Sequence, residues 1–103
     1  MDKSKVITLV STTFDYDDLG QRTPIESFTE VFCDIQSVSM SEFIAAGTIG
    51  IKPDFKITMN RFDYNGELEV EIDGVRYGVY RTYIYRTDEL ELYVEKKAGV
   101  QNG

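Results

Sequence analysis

The stretch "ELEVEIDGVRYGVYR" (67–81) constrains the fold of this chain more than any other. Leu68, Val70 and Ile72 alternate with Glu67, Glu69 and Glu71. A two-residue period is that of a strand with one dry and one wet face. Asp73-Gly74 then supplies the dipeptide of a type I′ hairpin turn. The turn fixes a register in which Ile72 faces Val75, Glu71 faces Arg76, Val70 faces Tyr77, Glu69 faces Gly78 and Leu68 faces Val79. Gly78 leaves a gap on the outer face or marks a bulge. If the alternation continues unbroken, Arg81, Tyr83 and Tyr85 share the face of Tyr77. Tyr80, Thr82, Ile84 and Arg86 then take the other, and both faces are partly apolar.

The rest of the chain repeats this theme in short steps. "KVITLVSTT" (5–13) reads as a strand, "FDYDDLGQRTP" (14–24) as an acidic loop, and "IESFTEVFCDIQSV" (25–38) as one long strand or two short ones. "SMSEFIAAG" (39–47) is the one helix candidate: Ser39 and Glu42 have the capping-box spacing and Gly47 is its stop. Met40, Phe43 and Ile44 fall on one side of it. Strands follow at 52–61, 67–73, 75–86 and 90–96, with turns at 62–67 and 87–89 and a frayed tail from about 98 to 103. In 52–61, Phe55, Ile57 and Met59 face one way and Lys56 and Thr58 the other. The expected fold is mainly β in one domain: a small barrel or sandwich of six to seven strands, with one short helix and a long loop.

Composition narrows the chemistry. The chain has 103 residues, enough to bury a core without staples, and a net charge of −7. It has no histidine, so triads and Cys/His metal sites are excluded. Asp15, Asp17 and Asp18 lack the glycine a calcium loop needs. Aligning Gly66 with that loop puts Arg61 and Ile72 where acids belong. The glutamates at 67, 69 and 71 read as a solvated face. No catalytic residue, metal site or cofactor is expected. Cys33, the single cysteine, lies in an apolar run and reads as a small buried hydrophobe. No run reaches membrane-span length and no signal peptide is recognisable, which points to the cytosol.

Two readings of Tyr77, Tyr80, Tyr83 and Tyr85 among Arg76, Arg81 and Arg86 remain. Stacking aromatics with cations suit single-stranded nucleic acid, so a small β-barrel nucleic-acid-binding module is one reading. Tyr and Arg equally suit a protein interface, which tolerates the acidic neighbours better. The interface candidates are Tyr80, Tyr83, Ile84, Tyr85 and Arg86.

The order of "SEFIAAGTIGIKPDFKITM" and "DYNGELEVEIDGVRYGVYRTYIYRTDELELYVEKKAG" resembles the head-closure, or head–tail joining, proteins of long-tailed bacteriophages and prophages of Gram-positive bacteria. The resemblance covers roughly residues 39–99 and rests on order and spacing. It implies a small β-barrel, structural and non-enzymatic, forming a homo-oligomeric ring in the virion, with a monomer allowed for the isolated chain. The ring is assembled in the host cytoplasm, between the portal or adaptor ring and a tail-completion or tail protein. It would close the head after packaging, while DNA passes its channel without specific binding. The segment implied to project into the channel and gate it is about 40–53, with Met40, Glu42, Phe43, Ile44, Ile49, Ile51 and Lys52. It is either a mobile plug or a helix packed on the barrel.

Overall fold

The structure, a computed structural model, describes residues 4–97. The expected tail at 98–103 lies outside the described residues. Six strands, β1 (Lys5–Tyr16), β2 (Arg22–Gln36), β3 (Phe55–Asn60), β4 (Glu69–Ile72), β5 (Val75–Ile84) and β6 (Glu89–Lys96), close in the order β1-β2-β3-β6-β5-β4. Every neighbouring pair is antiparallel. The fold is thus a closed barrel, which removes the sandwich alternative. One helix, α1 (Met40–Gly47), connects β2 to β3, and a single 3-10 turn (Arg61–Asp63) leads toward β4.

Alternation explains the core. Ile7 and Leu9 of β1, Val31 and Cys33 of β2, Ile57 and Met59 of β3, Val70 of β4, and Leu90, Leu92 and Val94 of β6 point into one cluster. Tyr77 and Val79 of β5 pack against its side. Cys33 is fully buried, and burial, then the charge of Asp34, pushes its thiol up to about 11. Strand β6 is buried on both faces, because Glu91 and Tyr93 on the outside are covered as well. The Tyr93 hydroxyl donates to Glu91 Oε1 at 2.9 Å, and Lys56 lies 3.6 Å from Glu91 Oε2.

The Asp73-Gly74 turn forms as expected, with φ of 50° and 80°, and its register from Ile72–Val75 to Glu69–Gly78 is the one read from the sequence. A Cβ at Gly74 would meet nothing within 4 Å, so its substitution tests backbone conformation alone. Gly74→Ala should cost about 1 kcal/mol. Gly47 is helical rather than the stop beyond the helix, and it too has open space. The left-handed glycine after α1 is Gly50. Gly47→Ala should therefore stabilise by about 0.5 kcal/mol. Urea midpoints moving in opposite directions for the two variants would bear this out; a shared direction would refute it.

Three local expectations are overturned. The long loop at 14–24 is a hairpin: β1 runs to Tyr16, β2 starts at Arg22, and only residues 17–21 turn. The alternation of 67–73 holds from Glu69 to Ile72 but inverts before it. Glu67 is buried and Leu68 is 73% exposed. Glu67 accepts from the Asn65 amide at 2.7 Å, and its carbonyl accepts from the Tyr64 hydroxyl, so the turn captures it. Third, β5 is bulged. Val79 pairs with Val94, but Arg81 pairs with Tyr93, leaving Tyr80 as the extra residue. The bulge shifts the phase, so Thr82 and Ile84 stand opposite the inward-pointing Leu92 and Leu90. Arg81 and Tyr83 take the outer face, the reverse of unbroken alternation.

Candidate functional site

Two excursions leave the barrel, and both carry apolar side chains away from the core. The first is the distal part of the β1–β2 hairpin. Strand β1 pairs with β4 only over Thr8–Val10, and β2 with β3 only over Cys33–Gln36. Beyond these pairings the two strands continue as a ribbon, reaching roughly 20 Å past Val10 at ~3.3 Å per residue. This ribbon accounts for the elongated shape, 49 × 30 × 23 Å.

On the outer face of the β1–β2 hairpin, from the barrel out along the ribbon, the cross-strand pairs Val6–Phe32, Val10–Phe28 and Phe14–Pro24 alternate with Thr8–Glu30 and Thr12–Glu26. Phe14, Phe28 and Phe32 are about half or more exposed, and Tyr16 and Leu19 at the tip more so. The ribbon and its turn carry Asp15, Asp17, Asp18, Glu26 and Glu30 against the single cation Arg22, which lies 4.2 Å over the Phe14 ring. Asp17 builds the turn itself, its Oδ1 accepting from the amides of Leu19 (2.9 Å) and Gln21 (2.8 Å). Pro24, which has no amide to donate, blunts the edge of β2 against pairing.

The second excursion is residues 37–54, which contains the segment, about 40–53, implied to gate a channel. Ser39 caps α1 by accepting from the Glu42 amide at 3.1 Å. The reciprocal half of the capping box does not form. The Glu42 carboxylate instead turns to β5, accepting from the Tyr80 hydroxyl at 2.7 Å and from the Arg81 guanidinium. Burial raises its pKa, but the bonds from Arg81 and Tyr80 and the Arg81 charge outweigh this and hold it below the ordinary glutamate value. Arg81 also lies 4.2 Å over the Tyr93 ring, and burial, then the bond to Glu91, pushes the Tyr93 hydroxyl up to about 12. Met40, Ile44 and Ile49 are largely exposed, Phe43 is about half exposed and lines a hollow with Pro53, Glu95 and Lys96, and Ala46 is the buried residue of the helix. Ile51 is half-buried and Lys52 exposed. The segment thus contains a short helix whose Glu42 is bonded to β5.

The interface candidates divide at the bulge. Tyr80 is half-buried and its hydroxyl donates to the Glu42 carboxylate. Tyr83, Ile84, Tyr85 and Arg86 are exposed at the end of β5, with Phe62 of the 3-10 turn also exposed. Arg61 ties that turn to the β5–β6 connection by donating to the Thr87 carbonyl at 3.3 Å.

The glutamates of β4 do not form the solvated face expected of them. Glu69 binds Arg76 at 2.7 Å and Lys97 at 2.7 Å, while Glu71 lies 3.5 Å from Arg76. Gly78 does leave an outer gap, and the Lys97 stem fills it, 3.3 Å from where a Cβ would sit. The Arg76 and Arg81 guanidinium groups are thus directed at carboxylates of this same chain. Among the described residues no three acidic or thiol side chains gather as a metal-ligating group, and no helix is long and apolar enough to cross a membrane. No protein-family model matches the chain, and no curated protein matches its sequence.

Proposed function

We propose that this chain is a structural virion component of a bacteriophage head–tail connector. It closes the head after DNA packaging and joins the portal or adaptor ring to the tail, as one subunit of a homo-oligomeric ring. The observation that carries the reading is the pairing of a closed barrel with two excursions, the β1–β2 ribbon and α1, on which Tyr16, Leu19, Phe28, Met40 and Ile44 are largely exposed. Exposed aromatic and aliphatic groups gathered on projecting elements are characteristic of surfaces that other proteins cover. The ordered motif resemblance over residues 39–99 supports the same reading. So does the acidic balance, since a conduit for DNA should not hold the phosphates that pass. The protein needs no enzymatic activity or cofactor for this role.

Deleting the gene in the phage or prophage that encodes it should give heads that lose their DNA and tails that remain unjoined. Electron microscopy of complete particles should locate the protein on the portal axis. Joined, DNA-filled particles in the deletion, or absence of the protein from purified particles, would refute the proposal. The competing reading, a nucleic-acid module, draws on Arg76, Arg81 and Arg86, of which the first two are engaged by Glu69, Glu71, Glu26 and Glu42 while Arg86 is exposed, 4.0 Å from Glu89. Titration with single-stranded DNA at low salt should show no binding; tight binding would favour the module.

A further inference from the structure

The geometry points to residues 37–54 being a strap, held on the outside of the barrel by one carboxylate clasp, that of Glu42 on Tyr80 and Arg81. This goes beyond the connector reading and does not depend on it.

The barrel closes beneath the strap. Gln36, the last residue of β2, pairs directly with Lys56 of β3. The excursion therefore leaves and returns at neighbouring points of one ladder, and its displacement breaks no strand pairing. Its return end is fixed. The Asp54 amide donates to the Val94 carbonyl at 2.9 Å, and Asp54 Oδ2 accepts from the Lys96 amide at 2.7 Å. Pro53 beside it is buried and stiff, so this end of the strap is anchored.

Apolar packing does little to hold α1. Met40, Phe43 and Ile44 are 73%, 47% and 60% exposed, and Ala46 offers one methyl group. A helix of eight residues does not persist on its own propensity. What fixes it is the clasp, two hydrogen bonds to one ionised carboxylate, both donors lying at the β5 bulge. The bulge is what makes the clasp: with Tyr80 unpaired, two consecutive side chains of β5 reach the outer surface and converge on Glu42. Tyr93 beneath Arg81, with Glu91 and Lys56 behind it, completes the surface on which the clasp rests.

Hydrogen exchange of the whole chain tests this. In Glu42→Ala, the amides of Phe43, Thr48, Ile49 and Ile51, all hydrogen-bonded within the strap, should exchange about tenfold faster or more, as the loss of bonds to a charged group implies. Amides of β3 and β6 should keep wild-type protection. Tyr80→Phe, which removes one donor and leaves the ring, should shift the same amides in the same direction by less. Unchanged exchange in the strap would overturn the inference, because Ala46 and Pro53 would then suffice to hold it. Loss of protection in β5 and β6 in step with α1 would overturn it too, because Glu42 would then be a prop of the barrel.

Discussion

Leu92→Ala is expected to destabilise the protein by about 3 kcal/mol, a large-to-small change at a fully buried position. Leu92 sits mid-strand in β6, paired with Ile57 on one side and Thr82 on the other, inside the cluster formed by all the other inward-facing strands. Neighbouring positions of β6 are buried on both faces, so the wall cannot collapse inward to fill the space left behind. Domains of this size have only about 5–15 kcal/mol of stability in total. The melting temperature should fall by roughly 12–24 °C. Urea unfolding followed by circular dichroism measures the loss. A change below about 1 kcal/mol would mean that the barrel interior is loosely packed and that its closure rests on strand pairing.

The parts of this fold legible in the sequence are those set by local rules. Asp73-Gly74 needs only its own two dihedral angles to define a hairpin, and the alternation of Val70 and Ile72 with Glu69 and Glu71 sets its register. Ser39 caps α1 as its spacing implies, because its partner is three residues away. The failures occur where distant groups compete. Glu42 has the spacing to close a capping box, yet a phenol and a guanidinium from β5, 38 and 39 residues on, offer its carboxylate stronger charge-assisted bonds. Glu67 and Leu68 exchange places because the turn before β4 offers backbone partners to the carboxylate.

The ribbon at 14–24 was disguised by its polarity. Thr13, Asp15, Thr23 and Ile25 continue the inward-facing phase of β1 and β2 beyond the barrel, where no core awaits them. Phe14 and Tyr16 alternate with Thr13 and Asp15, and that pattern was a strand signal inside a stretch rich in acids. The bulge had a weaker signal. Gly78 on the outer face suggested an irregularity, and the structure has one two residues later, at Tyr80. Nothing local marks Tyr80 as the unpaired residue, since the extra residue is decided by how β5 must match β6 to keep Leu90, Leu92 and Val94 inside.

Arg76→Met should cost about 2 kcal/mol, the second large effect, and its dependence on salt and pH separates charge from packing. The guanidinium contacts three carboxylates, Glu69 at 2.7 Å, Glu26 at 3.2 Å and Glu71 at 3.5 Å, from β4 and the ribbon. Its side chain is 18% exposed, so solvent screens it only in part, and removal leaves three clustered anions with Lys97 as their near cation. Two features moderate the loss. Glu26 and Glu71 are more than a third exposed, and the Arg76 Nε is buried without a partner among the described residues. Methionine keeps the apolar stem, so the loss belongs to the charge. Because the remaining repulsion is between partly exposed groups, raising salt from 0.05 to about 0.5 M should recover part of it. For Glu69, the bond from Lys97 lowers the pKa, burial opposes this, and Arg76 lowers it further. A lowered carboxylate contributes stability above its unfolded pKa, about 4.3, and loses it as pH falls through the lower folded value. The variant should therefore lose less stability on acidification than the wild type, and the two unfolding free energies should converge toward pH 3. A difference constant across pH and salt would assign the role of Arg76 to packing. Since Glu26 is the one ribbon residue in this cluster, the same substitution should speed exchange of ribbon amides around residues 24–28 more than those of β3. That result would make Arg76 the tie that sets the angle of the ribbon against the barrel wall.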